Sequence, residues 1–307
     1  MAELNLQSAL ALNREKATKD ICRFIADQVS ETGSRGLVVG ISGGLDSALV
    51  TSLGARALGA DRVKGLFLPE RDTEADSYAC AREVAEVTGI RYEEFNLTPA
   101  LEQLGCYKGA VAEAIRNKTI NRLAIWGLNR FFNIDPYRVT LEKTDNRTLN
   151  RAITVFRLKH RLRMAVLYQH ADQENFLVGG CLNLTEYLTG FFVHFGDSAA
   201  DIAPILDLYK SQVQDLACHL DLPRRLIEKA PSPDLLPGII DETALQVTYE
   251  KLDLIIYALR KGYSEEEIGK EVETTPETVT RVKQLVQLSE RLRNPIPSPK
   301  LPGRRGP

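Results

Sequence analysis

The residues best suited to chemistry are Ser42-Gly43-Gly44-Leu45-Asp46-Ser47, which follow the apolar run Gly36 to Ile41. Two glycines tolerate positive φ and leave the backbone bare. Consecutive N–H groups, with the Ser42 and Ser47 hydroxyls, can then surround a phosphate at a helix start. A Walker A loop would place a lysine after its glycines, and here an acid stands instead. A carboxylate beside a polyphosphate repels it unless a divalent cation intervenes, so Asp46 reads as a magnesium ligand. The bland alternative is a strand-to-helix turn that uses glycine for geometry alone.

Such a turn must be held by a strand before it and a helix after it, and the surrounding sequence supplies both. Leu37 to Ile41, a helix through Leu58, Val63 to Leu68, a helix from about Thr73 to Thr88, and Ile90 to Phe95 alternate strand with helix. The pattern predicts an α/β fold, a doubly wound parallel sheet with helices on both faces. Residues 1–35 read as an N-terminal helical segment, with Ile21, Phe24, Ile25 and Val29 at helical spacing and Gly33 to Gly36 ending it. Phe176 to Gly180 is a further buried-strand candidate that opens into Asn183-Leu184-Thr185-Glu186, where a polar residue caps a new helix and forms a second site loop.

The core spans 36–240, interrupted at 96–157 by a helical insertion rich in Arg and Lys. Those bases read either as a solvated, salt-bridged face or as groups facing a phosphate or a partner subunit. Gly196-Asp197-Ser198 marks a turn, Leu208 to Leu220 a helix, and Pro231 to Gly238 a loop. Residues 241–293 are helical by pattern, with Leu252, Ile255, Ile256 and Leu259 on one face, and 294–307 form a Pro-, Gly- and base-rich tail. No internal repeat is visible.

Composition narrows the function classes. The 307 residues are 44% hydrophobic and 26% charged, and 39 Lys and Arg against 41 Asp and Glu leave a formal net charge of -2. A dedicated nucleic-acid binder would carry a strong basic excess, so polyanion chemistry must sit in a local site. The apolar stretches are too short to span a bilayer. Met1 to Ala11 holds Glu3 and no Lys or Arg, unlike a secretory leader, and a cytoplasmic location is expected. Five scattered cysteines without a CxxC, and four histidines at no zinc spacing, read as free thiols and not as a disulfide or zinc framework.

SGGLDS is similar to the PP-loop of ATP pyrophosphatases, which cleave ATP between the α and β phosphates to adenylate a substrate. Within that superfamily the chain resembles the ammonia-dependent NAD synthetases. Leu158 to Met164 is similar to their VKxRxRM. The Gly-x-x-Asn-x-x-Glu run ending at Glu186, Gly190 to Asp197, Ala200-Asp201-Ile202, Asp207 to Val213, Pro231 to Leu235 and Ser289 to Pro297 extend the likeness from about residue 15 to 297.

The resemblance implies that Ser42, Gly43, Gly44, Asp46 and Ser47 hold the pyrophosphate half of ATP, that Lys210 and Ser232 contact its phosphates, and that Leu68 lies by the adenine. Asp46 and Glu186 would share Mg2+, with Asp46 and Lys210 the catalytic pair. Arg161 and Asp201 match positions that contact the dinucleotide. Cys181, at the ATP site, stands where the family has Thr; on the substrate side His194 replaces a Lys, and Arg291-Leu292 a His-Lys pair. The implied partners are ATP, deamido-NAD and ammonia, in a homodimer. No nitrilase-like glutaminase domain is expected ahead of the synthetase region, and no nucleic acid or membrane is involved.

Two other readings compete. One keeps the adenylating amide ligase and changes the carboxylate acceptor. The other takes Ser264 to Leu288 as a helix-turn-helix, but Glu265, Glu266, Glu267, Glu271 and Glu273 crowd its first helix, where DNA phosphate would be repelled.

Overall fold

The computed structural model describes residues 6–109, 135–142, 144–230, 241–294 and 297. In chain order its helices and strands are α1 (Leu6–Ala9), α2 (Arg14–Glu31), β1 (Gly36–Gly40), α3 (Leu45–Leu58), β2 (Val63–Phe67), α4 (Ala75–Thr88), β3 (Arg91–Glu94), α5 (Thr98–Gln103), α6 (Pro136–Leu141), α7 (Arg147–Glu174), β4 (Phe176–Gly179), α8 (Leu184–Thr189), α9 (Lys210–His219), α10 (Arg224–Glu228), α11 (Asp241–Leu245), α12 (Tyr249–Lys261), α13 (Glu265–Glu271) and α14 (Pro276–Arg293).

The four strands form one parallel sheet in the order β3-β2-β1-β4. Successive β1 side chains point to opposite faces, as a strand requires. Leu37 and Val39 join one apolar cluster with Ile25, Leu49, Leu53 and Leu216, while Val38 joins another with Leu97, Leu101 and Leu167. Helices therefore cover both faces, which is why β1 and β2 read as nearly continuous apolar runs. Strand order reverses between β1 and β4, and open parallel sheets bind ligands at the carboxyl ends of strands beside such a switch point.

A third apolar cluster joins α12, α13 and α14 to Leu184, Leu188 and Tyr209. Gly190 ends α8 at φ +79°, and a Cβ there would lie 2.5 Å from the Cβ of Ser289, so glycine lets α14 seat directly on α8. The expected N-terminal helix is α2, although Phe24 turns outward and is 40% exposed. Of the expected insertion, residues 110–134 and 143 lie outside the described residues. Its expected end at 157 falls inside α7, an unbroken helix of 28 residues begun by the Asn146 side chain. All five cysteines are free thiols. No helix among the described residues is long and apolar enough to cross a membrane.

Candidate active site

β1 ends in the glycine turn, and the turn is tied to itself. The Ser47 hydroxyl donates to the Gly44 carbonyl at 3.0 Å and accepts from the Ser42 N–H at 3.2 Å, while the Gly44 N–H donates to the Ser42 hydroxyl at 3.1 Å. Gly43 sits at φ +77°, and a Cβ there would lie 2.6 Å from the Ser77 carbonyl oxygen. That position can only be glycine. Lys229, at the end of α10, points its Nζ at the Gly43 carbonyl (3.2 Å) and the Ser77 hydroxyl (3.2 Å) and pairs with Asp76, so a cation stands beside the loop.

Asp46 occupies the first turn of α3 and is gripped from two other elements. Its Oδ1 accepts from Asn183 Nδ2 at 2.9 Å, and its Oδ2 pairs with Lys210 Nζ. Asn183 is fully buried and caps α8 in a reciprocal box: its Oδ1 accepts from the Glu186 N–H, and its own N–H donates to Glu186 Oε2. One asparagine thus fixes both Asp46 and Glu186. Lys210, first residue of α9, is buried with its ammonium 5.5 Å from the centre of the Tyr249 ring.

Burial and the Asp46 charge push the Glu186 carboxyl well above its usual range. Burial opposes charge on Lys210, but Asp46, Glu186 and Asp241 outweigh it and hold the ammonium above its ordinary value. Asp241 is buried, accepts from the Tyr249 hydroxyl at 2.9 Å, and is pushed up to about 6, chiefly by burial. Among the described residues its Oδ1 has no hydrogen-bond partner. The Asp46 charge that helps hold the Glu186 carboxyl up is one that a nearby divalent cation would offset. Hard carboxylate oxygens are also the donors magnesium takes, so the residues present fit that ion.

These groups line one cavity of about 1150 Å³, larger than a single small-molecule site needs. Leu68 and Cys181 line it too. Leu68 is fixed by Arg163 Nε, which donates to its carbonyl at 3.3 Å, and burial pushes the Cys181 thiol far up, leaving it neutral. At the other end Arg157, Arg161 and Arg291 line the wall. Each spends a guanidinium on a carbonyl: Arg157 on Thr140 at 2.7 Å, Arg161 on His194 at 3.1 Å, and Arg291 on Leu141. Burial, then the charges of Arg161 and Arg291, lower the Arg157 pKa. Three guanidiniums gathered on one wall are groups that suit an anion.

The structure therefore brings Ser42, Gly44, Asp46, Ser47, Leu68, Cys181, Glu186, Lys210, Arg161, His194 and Arg291 to one crevice, while Gly43 belongs to the same turn without lining it. It does not bring Asp201 to the cavity wall. Asp201 is exposed, and its Oδ2 accepts from the Val178 N–H at 2.7 Å, so it ties down β4. Ser232 lies outside the described residues. Sequence reasoning missed Arg157, Asn183, Lys229 and Asp241. Only Asn183 left a trace, as the cap of its helix.

A family model described as NAD synthase matches residues 17–125 and 118–295. The chain belongs to the NAD synthase family. Within it, the NH(3)-dependent NAD(+) synthetase of Thermotoga neapolitana is 40% identical over 91% of this chain and 94% of that protein. The enzyme of the same description from Methanocaldococcus jannaschii is 33% identical over 94% and 97%. Among solved structures, an NMN synthetase from Francisella tularensis superposes with TM-score 0.72 at 25% identity, covering 95% of this chain and all of that one. An NH3-dependent NAD synthetase from Campylobacter jejuni gives 0.68 at 23% identity over 94% and all of that chain. In this member of the family the Ser42 to Ser47 turn, expected from its sequence to be a PP-loop, lies at the switch point of the sheet.

Proposed function

We propose that the protein amidates deamido-NAD with ammonia at the expense of ATP, through an adenylate, giving NAD, AMP and diphosphate. The observation that carries the reading is one crevice with two chemically distinct ends: the phosphate turn with Asp46, Glu186 and Lys210 at one, and three arginines at the other. Attack of a carboxylate on the α-phosphate of ATP brings anions together, and fixed positive groups must meet the charge that develops on the leaving pyrophosphate. Lys210 is held charged for that task, and the Ser42 to Ser47 amides and hydroxyls orient the phosphates.

Asp46 and Glu186 would hold Mg2+, which supplies charge neutralisation on the phosphate oxygens when bound. Arg157, Arg161 and Arg291 suit the phosphates of a dinucleotide, with His194 beside them. No protein nucleophile is required, because ammonia attacks the acyl-adenylate and AMP leaves. We read the working unit as a homodimer. The cavity wall made by Leu149, Ala152, Ile153 and Phe156 is partly exposed in the single chain, which supports a partner there. Since the substrates are ATP and a dinucleotide precursor, we place the reaction in the cytoplasm.

The test is AMP and amide formation with ATP, magnesium and ammonium over a panel of carboxylates. Deamido-NAD should give stoichiometric NAD and AMP, with nicotinate mononucleotide slower by at least about tenfold because it offers the arginines one phosphate fewer. AMP release with some other acid alone would replace the acceptor, and none with any acid would overturn the activity.

A further inference from the structure

We propose that Asp253, on α12 among the C-terminal helices, is a positioning residue for adenylation that holds the helices carrying Glu186 and Lys210 in mutual register. Asp253 and Thr185 are both fully buried. The Thr185 hydroxyl donates to Asp253 Oδ1 and accepts from the Lys210 N–H at 2.9 Å, while Asp253 Oδ2 accepts from the Ser211 N–H at 2.8 Å. One carboxylate therefore reaches α8, one residue before Glu186, and α9, one residue after Lys210.

The first N–H groups of a helix lack partners within it, and a negative charge is favoured there. α9 needs that help more than most helices. Its first residue is a lysine, which sets a cation at the positive end of the helix dipole, and the Asp253 charge offsets the conflict. A buried carboxylate is a costly way to join two helices if packing is its only role, since an apolar residue of similar size would serve as well. What it adds is directional: two acceptor oxygens fix the start of α9 against α8, and so fix the distance between the Lys210 ammonium and the carboxylates it faces. The inference rests on the proposed adenylation. It makes the C-terminal helices part of the catalytic frame.

The experiment compares kcat, KM for ATP and melting temperature for wild type, Thr185→Ser, Thr185→Val, Asp253→Asn and the Thr185→Val/Asp253→Asn double variant. Thr185→Val, which keeps shape and loses the hydroxyl, should lower kcat about tenfold with KM for ATP moved less than about twofold, and Thr185→Ser should restore most of the loss. The double variant should fall less than about threefold below the worse single one, because both act through one chain of hydrogen bonds. Should Asp253→Asn not fold, the Thr185 pair decides. Variants that melt earlier but keep wild-type kcat, or losses that multiply in the double variant, would overturn the proposal. A wild-type enzyme that releases no AMP sinks the adenylation reading instead, so the two failures remain distinct.

Discussion

Asp46 and Glu186 each owe their place to Asn183, which donates a side-chain hydrogen bond to one and shares a capping box with the other. Replacing either acid by its amide keeps size while removing one negative charge from the pair proposed to hold magnesium, and at Asp46 it also removes one of the two acceptors that Asn183 and Lys210 use. Asp46→Asn and Glu186→Gln should each cut AMP release at least about 100-fold with the fold retained, since charge stabilisation of this kind is worth several kcal/mol. Near-wild-type rates at saturating magnesium would rule out the assigned metal site. Asp46 was legible in the SGGLDS run itself, whereas the spacing of NLTE gave only a helix cap and Glu186 was singled out through the likeness of that run to the family. Arg157 and Lys229 were not. Their neighbours across the cavity, Thr140 for one and Gly43 for the other, are set by tertiary packing, and a lone Arg or Lys on an amphipathic helix looks like any solvated base.

Elements were easier to read than their alliances. β1, β2, β4 and the helices between them follow from alternation, apolar runs and glycine stops, and a polar cap marks α8. What the pattern could not convey is that α12 contributes Asp253 to the start of α9, because a single acid on an apolar face carries no sign of what it meets. Burial pushes the Asp253 carboxyl up to about 6. The fold thus holds the proton to a higher pH than the unfolded chain does, and the carboxyl is charged above about 6. The stability this provides is complete below the unfolded value near 4 and is lost as pH rises through about 6. Asp253→Asn has no such titration. The margin of wild type over Asp253→Asn should therefore shrink by about 2 kcal/mol between pH 4.5 and 7.5, several degrees in melting temperature. Melting curves that run parallel across that range would show that the carboxyl titrates normally.

At the scale of the whole molecule, a chain with net charge -2 builds one wall from three arginines and another from three acids around a lysine, so the useful polarity lies inside a single crevice and not over the surface. Overall composition hides such a division, which is why charge counting excluded a nucleic-acid binder yet could not place the acceptor. The same crevice bears on assembly. Its acceptor end is walled by the first half of α7, where Leu149, Ala152, Ile153 and Phe156 remain partly exposed and Arg147 and Arg151 stand beside them. A second copy related by a two-fold axis would cover those apolar side chains and keep the bases at the rim, the arrangement expected of an isologous interface. Light scattering should give twice the chain mass at micromolar concentration. Ile153→Asp should yield monomers that keep their melting cooperativity and raise KM for deamido-NAD more than KM for ATP, because only the acceptor end loses its cover. A wild-type monomer with full activity, or an Ile153→Asp dimer, would show that the crevice is complete within one chain.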